Sequence, residues 1–443
     1  MVHNSSNPEW REIIRNCLGR DIMNKIIMTV VLFISSSISG CFANIADLDG
    51  DGIRDELDDD MDGDGWGNIE EEECGTNSTL FSSFPADKDS DGICDNLDPD
   101  LYGALRNFRY MGENRDFLIY SGENKESYAL NMTTWQLDNG GWEKWKEKEY
   151  QEPWDGVTRR TYYLSDGKEV GSLADQATTA EIRYIAGVYA NTDDYENKSI
   201  FKESALRGVE FVLDAQHDSG GWPQIHPNRD CSVSGCNYTS LMTYNDFVIQ
   251  NSIFLLWDIF EKEKPFDSDI FDDLDIERVD SALMKGIEYV IKSQVVVEGR
   301  LTIWGQQHDP VTYEPMPGRS YELACRTAAE SVGTTLILLN WENRSSEIRN
   351  ATWGAVSWFE ENMVTGLWYN QLEGEFEELE GSRIWYRFYN VSDNQYFMAD
   401  RDGVKVYKIE KLSEERRKGY LWASDWGLEM ILETGKIEIS NRI

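Results

Sequence analysis

Positively charged residues are scarce in this chain. Its 443 residues include 42 Lys and Arg against 81 Asp and Glu, which gives a formal net charge of −39 at pH 7. A field of this sign repels nucleic acid and anionic membrane surfaces, so the sequence argues against both as partners. Any polyanionic ligand must therefore be met by basic side chains clustered at its own site.

Long apolar runs are also missing. The run at residues 26–34, which follows Lys25, is too short to span a membrane but is typical of a signal peptide. The segment Ile38-Ser39-Gly40-Cys41 resembles a lipobox, which predicts that Cys41 is lipidated. Ordinary signal cleavage nearby is the alternative, and Met23 is a candidate start. We therefore expect residues 1–40 to direct export, giving an extracellular protein or a cell-surface lipoprotein.

Cysteines are few, but export makes disulfides permissible. Cys74 and Cys94 bracket a loop between two Asp-rich blocks, and Cys231 and Cys236 lie five positions apart in a polar insertion. We expect both pairs to close, although the sequence alone does not prove the pairing. Cys325 falls in an apolar helical pattern, which predicts a packed free thiol.

Large apolar residues are scarce between residues 42 and 104, where 20 acidic residues face only Arg54 and Lys88. Three windows there repeat the pattern Asp-x-Asp-x-Asp-Gly with further oxygen donors at positions nine and twelve. Calcium takes six to eight oxygen ligands, and such a loop supplies them around a glycine turn. The predicted ligands are Asp47, Asp49, Asp51, Asp55 and Asp58; Asp60, Asp62, Asp64, Asn68 and Glu71; and Asp87, Asp89, Asp91, Asp95 and Asp98.

The closely spaced windows leave no room for the two flanking helices that an EF-hand requires. They resemble thrombospondin type 3 calcium repeats, which implies that residues 41–104 form a calcium-stiffened spacer between the cell surface and the rest of the chain. A solvated, disordered acidic linker is the alternative interpretation.

The remainder, residues 105–443, contains an internal helical repeat. Segments 204–212 and 281–290 match closely, and each is followed by a glutamine and then by a tryptophan, as at Gln216 and Trp222. Apolar residues recur at helical offsets in both segments, and further helices are predicted near 177–190, 246–262, 321–340 and 347–363. Because repeated helix pairs bury their faces against neighbouring pairs, we predict an all-α fold, an α/α toroid with irregular loops forming a cleft.

An ordered series of short motifs in this region resembles polysaccharide lyase family 10, the pectate lyases with an (α/α)3 toroid. The motifs are Gly140-Gly141-Trp142-Glu143-Lys144, Asp175-Gln176-Ala177-Thr178-Thr179, Gly220-Gly221-Trp222-Pro223-Gln224, Tyr244-Asn245-Asp246, Gln307-His308-Asp309, Arg319-Ser320-Tyr321-Glu322, Trp385-Tyr386-Arg387-Phe388-Tyr389, Arg401-Asp402-Gly403 and Arg417-Lys418-Gly419-Tyr420. Two positions depart from the family pattern: Gln176 stands where Asn is usual, and Phe247 stands where a polar residue is usual.

The resemblance implies a calcium-assisted β-elimination that cleaves α-1,4-linked polygalacturonate and leaves 4,5-unsaturated oligogalacturonates. It implies that Asp175 and Asp246 bind the active-site calcium and that Arg319 is the Brønsted base. Helix capping by Asp175 and an ion pair between Arg319 and Glu322 are the structural alternatives. The remaining substrate-binding residues that it implies are Lys144, Arg387, Arg401, Asp309 and Gln176.

Three further interpretations concern the same motifs. His308 is a minor candidate for catalysis, and Trp142, Trp222 and Trp304 either stack on sugar rings or pack internally. The glutamine and tryptophan motifs also resemble those of terpene cyclases, but the catalytic domain lacks the Asp-rich acid that such an enzyme needs. A noncatalytic, calcium-dependent pectin-binding protein is the alternative from another functional class. We expect a monomer.

Overall fold

The computed structural model describes residues 48–49, 53–86, 94, 117–230, 237–341 and 345–441. The chain divides into two compact units, residues 1–98 and 99–443. The predicted signal segment with Cys41 and the Cys231–Cys236 pair lie outside the described residues. So do the predicted calcium ligands Asp47, Asp51, Asp87, Asp89, Asp91, Asp95 and Asp98.

The described residues form eleven α-helices. They are α1 (Asn68–Cys74), α2 (Phe117–Ser121), α3 (Lys125–Thr134), α4 (Thr179–Ala190), α5 (Tyr195–Ala215), α6 (Val248–Glu261), α7 (Ile276–Ser293), α8 (Ala328–Asn340), α9 (Ser346–Glu361), α10 (Glu414–Lys418) and α11 (Leu428–Asn441). None of these helices has the length and apolar character needed to span a membrane.

The same residues form fifteen strands, most of them two residues long. They are β1 (Leu164–Ser165), β2 (Lys168–Glu169), β3 (Gly171–Ser172), β4 (Ile225–His226), β5 (Met242–Thr243), β6 (Val296–Val297), β7 (Arg300–Leu301), β8 (Gln307–His308), β9 (Arg326–Thr327), β10 (Val364–Asn370), β11 (Glu375–Tyr386), β12 (Phe388–Tyr389), β13 (Tyr396–Ala399), β14 (Lys405–Val406) and β15 (Ala423–Ser424).

The larger unit is built from helical hairpins. Helix α4 packs on α5, α6 on α7, and α8 on α9. The first helices of these hairpins, α4, α6 and α8, contact each other in order, whereas α3, α5, α7 and α9 form a second row. The predicted repeat of paired helices is therefore confirmed within the described residues, and the hairpins bury one apolar face between the two rows.

The helices begin and pack as their sequences predict. Phe201, Ala205 and Val209 lie one or two turns apart on α5 and are wholly buried. The Asp194 side chain accepts a hydrogen bond from the backbone N–H of Asn197 at 2.9 Å and so caps the start of this helix. Side chains of Asp275 and Ser345 cap α7 and α9 in the same way.

A glutamine follows each of α3, α5 and α7 and ties its helix to the next helix of the same row. Each glutamine amide donates one hydrogen bond to a carbonyl in its own following loop and another to a carbonyl of that neighbouring helix. Gln136 bonds to Gly140 and Ser204 at 2.7 and 2.9 Å, Gln216 to Gly220 and Ala282 at 2.9 and 2.8 Å, and Gln294 to Thr302 and Ala351 at 2.7 and 2.8 Å.

The repeated tryptophans pack internally. Trp142, Trp222 and Trp304 are wholly buried. Each indole N–H donates to a carbonyl near the end of the preceding helix of the second row, at 2.7 to 3.0 Å; the acceptors are Met132, Val212 and Val290. The interpretation that these rings stack on sugars is therefore wrong, because no ring face reaches the surface.

The prediction of an all-α fold is wrong in one respect, because strands connect the helices. Strands β14, β13, β12 and β9 form a four-stranded sheet, and β10, β11 and β15 form a three-stranded one. The segment predicted as helix near 321–340 becomes helical only at Ala328, because residues 326–327 pair with β12 as strand β9. Two-residue strands carry too few side chains for a period of two to be visible in the sequence.

In the smaller unit, a single helix follows the second Asp-rich window. Helix α1 begins at Asn68, so this window has a helix on one side, which the sequence analysis did not predict. The Asn68 amide spans the loop: its oxygen accepts from Met61 N–H at 3.1 Å and its nitrogen donates to the Asp58 carbonyl at 2.6 Å. Asn68 therefore closes the loop, and its role as a calcium ligand stays a prediction.

Two other features of this unit concern predicted residues. The Asp55 carboxylate accepts a hydrogen bond from Leu48 N–H at 2.8 Å, which ties the ends of the first window together. Cys74, the last residue of α1, forms a disulfide with Cys94. In the larger unit, Cys325 is a buried free cysteine, as predicted, and burial raises the pKa of its thiol.

Candidate active site

Two short turns lie at the starts of α4 and α6 and carry one aspartate each. Strand β3 pairs with β4 and leads to the turn Ala174–Gln176, and strand β5 pairs with β8 and leads to the turn Asn245–Phe247. The two turns pack against each other. The ladders therefore bring Asp175 and Asp246, which are 71 positions apart in the sequence, to one place.

Both aspartates have a strained backbone. Asp175 has φ of 51° and Asp246 has φ of 53°, and the neighbouring Gln176 and Phe247 also have positive φ. This left-handed region is costly for residues other than glycine, although Asp and Asn enter it more readily than most. The helix-capping alternative for Asp175 is wrong, because the N-cap of α4 is Thr178 and no side chain there makes a capping bond.

Lys144 is the cation nearest to Asp175. Its Nζ lies 2.6 Å from Oδ2 of Asp175, and its side chain is mostly buried. Burial alone would lower the pKa of Lys144, but Asp175 and then Asp246 raise it above the ordinary value. Lys144 is therefore a charged ammonium group that is paired with Asp175 and is also stabilised by the charge of Asp246.

Asp246 is more deeply enclosed than Asp175. Its Oδ2 accepts a hydrogen bond from the Gln224 amide at 3.1 Å, and its Oδ1 lies 3.7 Å from Nη2 of Arg319. Burial raises the pKa of Asp246 to about 6, the nearby charge of Asp175 adds to the effect, and Arg319 and Lys144 oppose it. Two carboxylates that repel each other at one point are a site for a cation.

Arg319 is paired with a buried glutamate, Glu322. Its Nε donates to Oε2 of Glu322 at 3.0 Å and its backbone N–H donates to the same oxygen at 2.9 Å. Glu322 is 1% exposed, whereas Arg319 is 39% exposed and presents the rest of its guanidinium to the surface. Burial alone would lower the pKa of Arg319, but Glu322 and then Asp246 raise it, so these carboxylates favour the charged guanidinium.

Arg387 is paired more tightly than the sequence analysis expected. Its guanidinium forms an ion pair with the buried carboxylate of Glu330 and lies 4.7 Å from the ring centroid of Tyr420. Gln306 donates to the same Glu330 carboxylate at 3.3 Å. One nitrogen of this guanidinium is thus bound to Glu330 and the side chain is only 16% exposed, which limits the part of it that can bind a ligand.

Arg401 lies on the surface, with its side chain 61% exposed. It makes two hydrogen bonds to Glu415, from Nε at 3.0 Å and from Nη2 at 2.9 Å. Arg416 binds the same carboxylate, and the two arginines lower the pKa of Glu415 to about 2. The Tyr321 ring lies under all three nearby guanidiniums, those of Arg319, Arg401 and Arg416.

Asp309 and His308 have local structural partners. The β5–β8 ladder carries Asp309 and Asp246 to opposite ends, and Asp309 instead accepts from the N–H groups of Val311 and Thr312 at 2.8 Å. His308 is wholly buried, both ring nitrogens are hydrogen-bonded to backbone groups, and burial lowers its pKa to about 4. A catalytic role for His308 is therefore excluded by its burial.

Comparison with known proteins fits this arrangement. The profile of the pectic acid lyase family matches residues 136–431, about two-thirds of the chain. The chain belongs to this family. The predicted resemblance of the large domain to polysaccharide lyase family 10 is therefore confirmed, and so is the predicted function of a pectate lyase.

Two solved structures are similar to this pectic acid lyase. One is a family 10 polysaccharide lyase from Cellvibrio cellulosa, at 28% identity and a TM-score of 0.61, covering 77% of this chain and 97% of that one. The other is an aspartate-to-alanine mutant of a family 10 lyase from the same organism in complex with trigalacturonic acid, at 28% identity and a TM-score of 0.61, covering 76% and 96%. A search of curated protein sequences finds no match.

The site also contains three residues to which the sequence analysis assigned no role: Gln224 hydrogen-bonds to Asp246, and Glu330 and Glu415 form ion pairs with Arg387 and Arg401. The ion pair between Arg319 and Glu322, which the sequence analysis gave as an alternative, is present. Gln224 was visible in the sequence, because it ends the motif Gly220-Gly221-Trp222-Pro223-Gln224. The partners of the two distant arginines left no signal, because 57 and 14 residues of chain separate them and only the fold brings them together.

The site fits a hard divalent cation. Asp175 and Asp246 supply carboxylate oxygens, the donor type that calcium prefers. Burial and then the charge of Asp175 raise the pKa of Asp246, and a bound cation would offset both effects. Gln176, which replaces the usual asparagine, lies in the same turn as Asp175.

Proposed function

We propose that this pectate lyase, a carbon–oxygen lyase acting on polysaccharides, cleaves α-1,4-linked polygalacturonate by calcium-assisted β-elimination. The observation that carries the proposal is the convergence of two strained aspartates with Lys144 and Arg319. The solved relative with trigalacturonic acid supports a galacturonate polymer as the substrate.

The acidic protein provides its basic groups where the substrate needs them. In this proposal Lys144 and Arg401 bind galacturonate carboxylates, because both are cationic and Arg401 is largely exposed. Arg387 orients the Tyr420 side of the cleft and contributes at most one edge of its guanidinium, since Glu330 holds the other. Gln176 contacts the sugar from the Asp175 turn.

Asp175 and Asp246 would hold the calcium ion. When bound, this ion withdraws negative charge from the galacturonate carboxylate and so makes the neighbouring C5 proton more acidic. Gln224 fixes the orientation of Asp246, because its amide donates to the oxygen that does not face Arg319.

Arg319, after loss of its own proton to solvent, would accept the C5 proton in its neutral form. Glu322 holds its Nε and backbone N–H, which leaves the Nη groups directed toward Asp246 and the cleft. Asp246 is, after Glu322, the second of four groups that raise the pKa of Arg319, so its ligation of a cation would favour the neutral form of Arg319. Elimination then breaks the C4–oxygen bond and leaves a C4–C5 double bond, without the carboxylate pair of a glycosidase.

The wider organisation completes the proposal. In this proposal the two helical rows are arranged as an (α/α)3 toroid with the site at one end. The chain is exported and lipidated at Cys41. Residues 41–104 form a spacer between the cell surface and the catalytic domain, residues 105–443. The paired helical hairpins support the first point, and the lipobox-like sequence supports the second.

The test is the ultraviolet absorbance of unsaturated products released from polygalacturonate by the full-length protein. We expect activity with calcium, loss of activity with excess chelator, and weak activity on highly methylated pectin, whose esters lack the charge that the arginines bind. Equal activity in chelator would refute the metal's role. Binding of polygalacturonate without any unsaturated product would instead identify a noncatalytic pectin-binding protein.

A further inference from the structure

Trp145 is an exposed aromatic residue to which the reaction described above gives no role. It is 67% exposed, whereas every other tryptophan that the structure describes is buried or half-buried. One exposed apolar side chain is common on protein surfaces and needs no explanation by itself. The backbone of Trp145 and its neighbours, however, set it apart.

The backbone of Trp145 is strained. Its φ is 59°, in the left-handed region that bulky residues rarely enter. Glycine, asparagine or aspartate would form this turn at lower cost, so turn formation does not account for a tryptophan here. Such strain persists only where the surrounding structure enforces it, and it concentrates at binding and catalytic sites. The conformation therefore indicates a function for the ring.

The turn that carries this tryptophan is held on both sides. On one side, the Glu143 carboxylate is buried and accepts from the backbone N–H of Lys144 at 2.9 Å and from the Thr161 hydroxyl. On the other side, the carbonyl of Lys146 accepts from Tyr150 N–H at 3.2 Å. The indole is therefore presented from a pre-ordered turn, which reduces the entropy that is lost when a ligand binds.

The ring lies directly beside the candidate active site. Nζ of Lys144 is 4.3 Å from the centroid of the Trp145 ring and 2.6 Å from Oδ2 of Asp175. One ammonium group thus separates the indole from a candidate calcium ligand. When Lys144 binds the carboxylate of one galacturonate unit, the sugar ring of that unit or of its neighbour comes within reach of the indole.

We propose that Trp145 is a stacking surface for a sugar ring of the galacturonate polymer, at a subsite adjoining the carboxylate that Lys144 binds. The inference rests on the proposed function, because it takes polygalacturonate as the ligand. The C–H groups on one face of a sugar ring pack against an aromatic ring, whose negative face also attracts the ammonium of Lys144. This contact involves no anionic group of the protein, so the net charge of −39 does not oppose it locally.

Acrylamide quenching of tryptophan fluorescence tests the contact directly. The full-length protein with Arg319→Ala is used in calcium, so that trigalacturonic acid stays intact. The difference between this protein and the same protein carrying Trp145→Phe isolates the emission of Trp145. We expect saturating trigalacturonic acid to reduce the quenching of that component, because a stacked sugar excludes acrylamide. A role exerted only through Lys144 would leave the indole unprotected.

Affinity provides the second measurement. In the Arg319→Ala background, Trp145→Ala should weaken binding of trigalacturonic acid about threefold to tenfold in calorimetry, the range of a single aromatic contact. Trp145→Phe keeps an aromatic face and should lose less. With Arg319 intact, Trp145→Ala should raise KM for oligogalacturonate by a similar factor and lower kcat less than it raises KM.

The matched control is Tyr195→Ala. It removes an exposed aromatic side chain at the start of α5, at the other end of the α4–α5 hairpin from the Asp175 turn, and should leave the affinity unchanged.

Trp145→Asn separates binding from strain. Asparagine enters the left-handed region more readily than tryptophan or alanine. This variant should therefore lose as much affinity as Trp145→Ala but melt no lower than the parent protein in thermal unfolding. A lower melting temperature of Trp145→Asn with unchanged affinity would assign the ring to packing and overturn the proposal.

Equal affinity with and without Trp145→Ala would also overturn it, as would a loss of affinity without protection of Trp145 from acrylamide. These outcomes are distinct from failure of the proposed function. If the parent protein releases no unsaturated product but trigalacturonic acid protects Trp145, the lyase assignment fails and the stacking surface stands. If product is released and Trp145 stays unprotected, the stacking surface alone fails.

Discussion

Replacing Arg319 with alanine has two separable consequences. The first concerns catalysis: if Arg319 accepts the C5 proton, kcat should fall on the order of 10³-fold or more, with little change in KM. Such a loss corresponds to about 4 kcal/mol of transition-state stabilisation. Arg319→Lys should recover little, because an ammonium cannot bond Glu322 through Nε and also extend toward Asp246.

The second consequence concerns stability, because Glu322 is left with a buried charge. Loss of a fully buried partner costs about 3–5 kcal/mol and loss of an exposed one less than about 1 kcal/mol. Arg319 is 39% exposed and alanine retains the backbone N–H bond to Glu322, so we expect a decrease in the free energy of unfolding of about 1–2 kcal/mol.

A double variant separates the two effects. Arg319→Ala combined with Glu322→Gln removes the unpaired charge and should recover most of the lost stability in thermal unfolding, while kcat stays as low as in Arg319→Ala. Arg300→Ala, which removes a surface ion pair with Glu361, is the matched control and should leave both quantities near the parent values. A folded Arg319→Ala enzyme with near-native kcat would refute the assignment of the base.

Three further predictions follow from the same structure. Because the pKa of Asp246 is about 6 and a metal ligand must be deprotonated, calcium affinity measured by calorimetry should fall as pH decreases through about 6; an affinity that is constant from pH 7 to 5 would contradict this. Trp222→Phe should destabilise the fold by about 1–3 kcal/mol in thermal unfolding, through the unpaired Val212 carbonyl, without changing KM; a selective rise in KM would instead indicate sugar contact. Arg401→Ala should raise KM for oligogalacturonate more than it lowers kcat in steady-state kinetics and should leave stability unchanged, because this side chain is largely exposed; an unchanged KM would remove Arg401 from the cleft.

The sequence was most informative where a pattern is local. Apolar residues at helical spacing identified the hairpins, since burial of one helix face imposes that period regardless of the neighbouring helices. Helix α6 was predicted at 246–262 and is observed at Val248–Glu261. The motif order likewise brought Asp175, Asp246, Lys144 and Arg319 into one proposed site, which the structure assembles.

The hairpin of β10 and β11 was missed, although its alternating residues and the Gly374 turn gave a local signal that could have been used.

Features that depend on residues distant in the sequence were not visible. Arg387 and Arg401 were treated as free clamps, because nothing in their surroundings in the sequence points to Glu330 or Glu415. Asn68 occupies a predicted ligand position, and its amide also forms hydrogen bonds to Met61 and to the Asp58 carbonyl on the other side of the loop. These bonds depend on distances that the sequence does not give.

The glutamine that follows each of α3, α5 and α7 has a consequence for recombination. Its amide nitrogen bonds only to main-chain carbonyls, and within the described residues only Gln136 of the three also accepts a hydrogen bond from a side chain of the adjoining helix, that of Ser204, so the anchor requires little of the side chains there. A hairpin transplanted from a distant relative would bring its own anchor and would find an acceptor in any host helix of suitable geometry. Chimeras joined between hairpins should therefore tolerate much greater sequence divergence than chimeras joined inside one, and crossovers placed between hairpins are the natural starting point for exchanging cleft loops among such enzymes.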